Sequence, residues 1–117
     1  MTAGYRITRD SGGWRFELWL LPDRLLLTGN RYAGRQHCAD ALASLRIVCD
    51  SPLDTGEAPV RYPKYTVEST DSGFYRLVLR GRNGRRLAAG PESRSPVSAA
   101  APLPDIIRTA RTAGIIR

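Results

Sequence analysis

Four arginines, Arg80, Arg82, Arg85 and Arg86, surround the dipeptide Asn83-Gly84, and Arg76 lies a few residues upstream. A guanidinium is planar, always charged and offers paired donors, so this grouping suits a phosphate or another oxyanion. No recognised nucleic-acid motif accompanies it, and a solvated basic hairpin that keeps a small protein soluble would carry the same residues. Other reactive groups are few. His37 is the sole imidazole, with Asp40 one turn on, which reads as a helix histidine bonded to Asp40 or to water. Cys38 and Cys49 stand 11 positions apart with no second pair, matching no zinc spacing. His37 and Cys38 are neighbours, so on a helix their side chains splay by about 100°. Gly81-Arg82-Asn83-Gly84 lacks the strand-loop-helix context of a phosphate loop. The expectation is therefore no catalytic residue, no metal and no cofactor, and a protein that is not an enzyme.

Charge sharpens the arginine reading. The chain has 117 residues, is 42% hydrophobic and 25% charged, and carries a net charge of +7. That composition fits one folded domain and excludes wholesale disorder. Residues 1–60 hold seven arginines against seven acids, whereas residues 61–117 hold 11 bases against four acids. The whole excess lies in the second half, a hint of an anionic partner such as nucleic acid. Two cysteines with no framework read as free, buried thiols of a reducing cytoplasm. The first ten residues have no apolar run, so no signal peptide is expected. The stretch Leu18–Leu27 is broken by Pro22, Asp23 and Arg24, far short of a membrane span.

The elements that must hold these residues follow a pattern written twice. Tyr5-Arg6-Ile7 aligns with Tyr65-Thr66-Val67, Ser11-Gly12 with Ser72-Gly73, and Trp14-Arg15-Phe16-Glu17-Leu18 with Tyr75-Arg76-Leu77-Val78-Leu79. Pro22-Asp23 then falls on Asn83-Gly84, Leu26 on Leu87 and Gly29 on Gly90. Strict alternation predicts half-buried strands, and the glycine pairs predict hairpins. Even spacing places Arg76, Arg80 and Arg82 on one strand face unless a bulge intervenes. Trp14 and Trp19 have opposite parity, so one of them faces outward. Residues 35–47 set Cys38, Ala41, Leu42 and Leu45 on one helical stripe. The second copy is irregular from Gly90 to Pro102, with a helix from Asp105 to about Thr112 that turns Ile106, Ile107 and Ala110 inward. Cys49 falls at or just past the end of the first helix.

Tyr5, Ile7, Gly12, Trp14, Arg15, Phe16 and Leu18, and again Tyr65, Val67, Gly73, Tyr75, Arg76, Leu77, Leu79, Asn83, Gly84 and Leu87, carry a resemblance to the YegP-like family. These are small bacterial proteins built from tandem copies of a short domain of unknown function. The chain resembles them over residues 5–48 and 65–112. It departs from them at Pro22-Asp23, at the proline-interrupted start of the second helix, and in its sparse arginine where typical members have lysine-rich helices. The resemblance implies an α+β fold of three-stranded antiparallel units, each followed by a helix, and supplies no catalytic residues.

The expected architecture is thus two tandem β-β-β-α repeats sharing one core: unit one in residues 1–50, a linker in residues 51–64, and unit two in residues 65–117. Phe16, Leu18, Leu77 and Leu79 are expected at the centre of that core. The functional expectation is a small intracellular protein without enzymatic activity. A polyanion-binding module using Arg76, Arg80, Arg82, Arg85 and Arg86 is one alternative. A self-associating protein, a homodimer through an exposed strand or Trp19, is another.

Overall fold

In residues 5–9 and 14–18, apolar side chains alternate with polar ones, and the chain pleats accordingly. The computed structural model describes residues 2–116. β1 (Ala3–Asp10), β2 (Gly13–Leu20) and β3 (Arg24–Gly29) form an antiparallel meander, followed by helix α1 (Arg35–Val48). β4 (Lys64–Ser69), β5 (Tyr75–Arg80) and β6 (Arg86–Ala89) form a second meander. Two short helices, α2 (Pro96–Ala100) and α3 (Leu103–Thr109), and a two-residue strand β7 (Gly114–Ile115) complete the chain. The strands join in a single seven-stranded sheet of order β4-β5-β6-β3-β2-β1-β7. The two meanders meet at the antiparallel β3–β6 seam, through Thr28 against Ala89 and Gly29 against Ala88.

The helices all lie on one face of the sheet. Tyr5, Phe16, Leu18, Tyr65, Leu77 and Leu79 point to that side and pack with Cys38, Leu42, Leu45, Ile106 and Ala110 into one contiguous core. Each meander's first strand sends a buried tyrosine across to the far helix end. The Tyr5 hydroxyl donates to the Ala110 carbonyl, and the Tyr65 hydroxyl donates to the Cys49 carbonyl at 2.6 Å. Burial holds both phenols well above the ordinary tyrosine range, so they remain neutral donors. The sheet's outer strands are each met by parallel backbone. β7 pairs with β1, and Leu53 bridges Tyr65 on β4.

The structure corrects several expectations for the second half. It is not a simple β-β-β-α unit, because residues 96–109 carry two helices and β7 follows them. Residues 96–100 are helical, where irregular chain was expected. Ser95 caps them by accepting from Ser98 N–H at 3.1 Å, and Pro96 occupies the first turn, where its missing N–H does no harm. Pro102 then interrupts the helix, since it brings no N–H to the ladder. α3 starts at Leu103 rather than Asp105 and ends at Thr109 rather than near Thr112. Of its expected inward residues, Ile106 and Ala110 are buried and Ile107 is exposed.

The hairpin at Asn83-Gly84 also differs from a two-residue turn. Gly84 N–H donates to the Gly81 carbonyl and Gly81 N–H to the Arg85 carbonyl, both at 2.9 Å. Only Gly84 takes positive φ, at 79°, while Asn83 stays in the ordinary region. This is the wider loop that closes with a left-handed glycine and a bulge.

Candidate functional site

The face of the sheet opposite the helices is where the arginines collect. Parity along the strands puts Arg6, Arg15, Glu17 and Trp19 there from the first meander, and Glu68, Arg76, Val78 and Arg80 from the second. Val78 is fully covered on this face, beside Ala89 across the β5–β6 pairing. Trp19 is the outward tryptophan. It is half-buried beneath the Arg6 guanidinium, which lies 5.0 Å from the ring centroid, and its Nε1–H donates to Glu17 at 3.3 Å. Trp14 packs against the core instead.

The five arginines singled out from sequence separate into three environments. Arg80 is neutralised: its Nε and Nη2 donate to the two oxygens of Glu68 at 2.8 and 2.7 Å, and its Nη1 donates to the Gly84 carbonyl at 3.0 Å. These hydrogen bonds hold the Glu68 carboxyl below its ordinary range and push the Arg80 guanidinium up. Arg82 and Arg85 sit exposed on the turn, and neither has a carboxylate partner among the described residues. β5 ends at Arg80, so Arg82 belongs to the loop and does not share a strand face with Arg76 and Arg80, which corrects the even-spacing expectation.

Arg76 and Arg86 form the third environment, half-buried on the open face. They line a shared cavity of about 410 Å³ at the seam with Arg15 from the first meander and Arg31 from the loop after it. The Arg86 Nε donates to Asn30 Oδ1 at 3.4 Å, and Asn30 Nδ2 donates to the Arg86 carbonyl at 2.7 Å. Burial, then the charges of Arg76 and Arg80, push the Arg86 guanidinium below its ordinary value. Neither Arg15 nor Arg31 was singled out as a site residue. The sequence signal was present for Arg15, which aligns with Arg76 in the repeated aromatic-Arg pattern. None existed for Arg31, which reaches the site from the loop after β3.

The groups able to act as nucleophiles lie elsewhere. His37 is exposed on α1, and Asp40 accepts from Gln36 Nε2 at 2.9 Å rather than from His37. A glutamine one turn before the carboxylate reaches it along the helix. Cys38 and Cys49 are free and buried, and desolvation raises both thiols. Cys49 terminates α1, at the expected place. No helix among the described residues is long and apolar enough to cross a membrane.

A single sheet with helices on one face and an arginine-bearing open face defines an α+β protein. Solved structures share this fold. The protein of unknown function yegP from E. coli superimposes with a TM-score of 0.75 at 15% identity, over 98% of this chain and 91% of its own. The UPF0339 protein SO3888 from Shewanella oneidensis does so with a TM-score of 0.74 at 14% identity and the same coverage. No family model and no curated protein matches the chain by sequence.

Proposed function

We propose that this chain is a non-enzymatic YegP-like protein, made of two copies of one unit, that binds a polyanion through its second half, with nucleic acid as the best fit. The carrying observation is the distribution of counter-charges. Arg76, Arg82, Arg85 and Arg86 have no carboxylate within salt-bridge distance among the described residues, while Arg80 is consumed by Glu68. Uncompensated guanidiniums on one hairpin and the adjoining sheet face attract a phosphate backbone without reading its sequence. Raised thiol pKa values and a histidine without a carboxylate partner among the described residues support binding over catalysis. Free thiols suit a reducing compartment such as the cytoplasm. The repeat reading is supported by a bulge at corresponding places, opposite Leu18/Trp19 and opposite Leu79/Arg80, and by the crossed Tyr5 and Tyr65 hydrogen bonds.

Self-association through an edge strand has less support, because β7 covers β1 and Leu53 meets β4. Trp19, its other proposed contact, is stacked under Arg6. The test is fluorescence anisotropy with labelled single- and double-stranded DNA and RNA at rising salt. The proposal expects binding at low salt with no strong sequence preference, weakening linearly on a log–log scale. Absence of binding at low salt would contradict it.

A further inference from the structure

The geometry points to a second, more discrete site beyond the hairpin: the seam cavity binds a phosphoryl group, with Arg15, Arg76 and Arg86 as its ligands. The cavity draws arginines from both meanders and contains neither Arg82 nor Arg85. Its charge is matched to the ligand. Arg31 contacts Asp10 at 3.1 Å and Arg15 contacts Glu17 at 3.7 Å, so two of the four guanidiniums have a carboxylate nearby. Arg76 lies across the strand pair from Glu68, whose oxygens are already taken by Arg80 and Thr66. Arg86 has no carboxylate in salt-bridge contact among the described residues and is braced by Asn30. Two uncompensated charges thus remain, close to the charge a phosphomonoester carries near neutral pH.

Donor geometry agrees with charge. A carboxylate has two oxygens and is saturated by one guanidinium fork, whereas a phosphoryl group offers three oxygens to several forks at once. Thr28 and Asn30 add polar groups to the lining. At about 410 Å³ the cavity falls within the range of small-molecule sites, so it has room for an ester as well as the bare ion.

Two sources share this chemistry, a free phosphate ester and the phosphorylated end of a nucleic acid. The experiment is an amide and arginine Nε NMR titration with inorganic phosphate against chloride at equal ionic strength. It is repeated with adenosine 5′-monophosphate and with one short single strand carrying either a 5′-phosphate or a 5′-hydroxyl. The site predicts saturable phosphate shifts centred on Arg15, Asn30, Arg76 and Arg86. Arg76→Gln and Arg15→Gln should each weaken binding about tenfold or more, since each removes charge-assisted hydrogen bonds. Arg76→Lys, which keeps charge and loses the fork, should fall between. The doubly substituted Arg82→Ser/Arg85→Ser protein should bind phosphate as the wild type does. Tighter binding of the nucleotide assigns the site to a phosphate ester, and preference for the 5′-phosphorylated strand assigns it to a nucleic-acid end. Shifts that chloride reproduces, titrations that do not saturate, or equal loss in the hairpin variant would overturn the site. The site shares Arg76 and Arg86 with the polyanion reading, but the Arg82→Ser/Arg85→Ser protein removes the hairpin contacts and keeps every cavity arginine, so failure of the site is distinguishable from failure of the polyanion reading.

Discussion

The two halves of the sheet use matching backbone for unequal ends. Phe16 on β2 aligns in sequence with Leu77 on β5, and Gly29 on β3 with Gly90 just after β6. A methyl group added at Gly29 would sit 2.4 Å from the Phe16 ring, whereas at Gly90 its nearest neighbour is the Leu26 carbonyl at 3.4 Å. Residues 35–48 form one helix, while residues 96–109 form two, broken at Pro102. The position opposite the seam asparagine is Arg86 on β6, and its counterpart on β3 is Leu25. Packing differences of this kind are absorbed inside the core, but the charge difference has nowhere to be absorbed and appears on the open face. Packing and surface charge can therefore diverge independently within one fold.

The glycine contrast gives the largest expected effect. Gly29→Ala should lower stability by about 1–3 kcal/mol, because the Phe16 ring must leave its place, whereas Gly90→Ala should change it by less than about 1 kcal/mol. Chemical denaturation of both variants checks this, and equal effects would remove the asymmetry. The tyrosines should be alike. Tyr5→Phe and Tyr65→Phe should each cost about 1 kcal/mol, since each removes one buried hydrogen bond. Both native phenols titrate above the unfolded value, so their stabilisation is complete below about pH 10 and is lost as pH rises beyond it. Alkaline melts should show that loss in the wild type and less of it in the double Tyr→Phe protein. The smallest stability effect concerns the Arg80 pair. Glu68→Gln should cost about 0.2–1 kcal/mol at neutral pH. Its partner depresses the Glu68 pKa, so that gap should persist above the unfolded value of about 4.3 and close as pH falls through the lowered native value.

Much of this was legible in the sequence. Period-two alternation located β1, β2 and β5, and the core residues Phe16, Leu18, Leu77 and Leu79 are all fully buried, whereas β7 had no signal. The apolar stripe at Cys38, Leu42 and Leu45 located α1 within one residue of its end. The helix at residues 96–100 was hidden because Ser-Pro-Val-Ser-Ala-Ala has no apolar period, and only its cap and proline mark a start. The arginine cluster was visible as composition, but its partition was not. Glu68 lies on another strand, opposite Arg76 in register, and the long Arg80 side chain reaches it from four residues further along β5. Arg31 and Asn30 join the seam for the same reason: the β3–β6 contact unites segments about 60 residues apart, and no local pattern encodes it.

The most direct test compares the halves by salt dependence. The Arg82→Ser/Arg85→Ser protein is set against Arg6→Ser/Arg9→Ser, which removes two arginines from β1, on the same single- and double-stranded nucleic acids. Each phosphate contact contributes about 0.9 to the slope of log affinity against log salt on duplex and about 0.7 on single strands. The hairpin variant should therefore flatten the slope by roughly 1.8 and 1.4, respectively. The β1 variant should leave the slope unchanged. Equal flattening by both variants, or none by the hairpin variant, would contradict the assignment of polyanion binding to the second half.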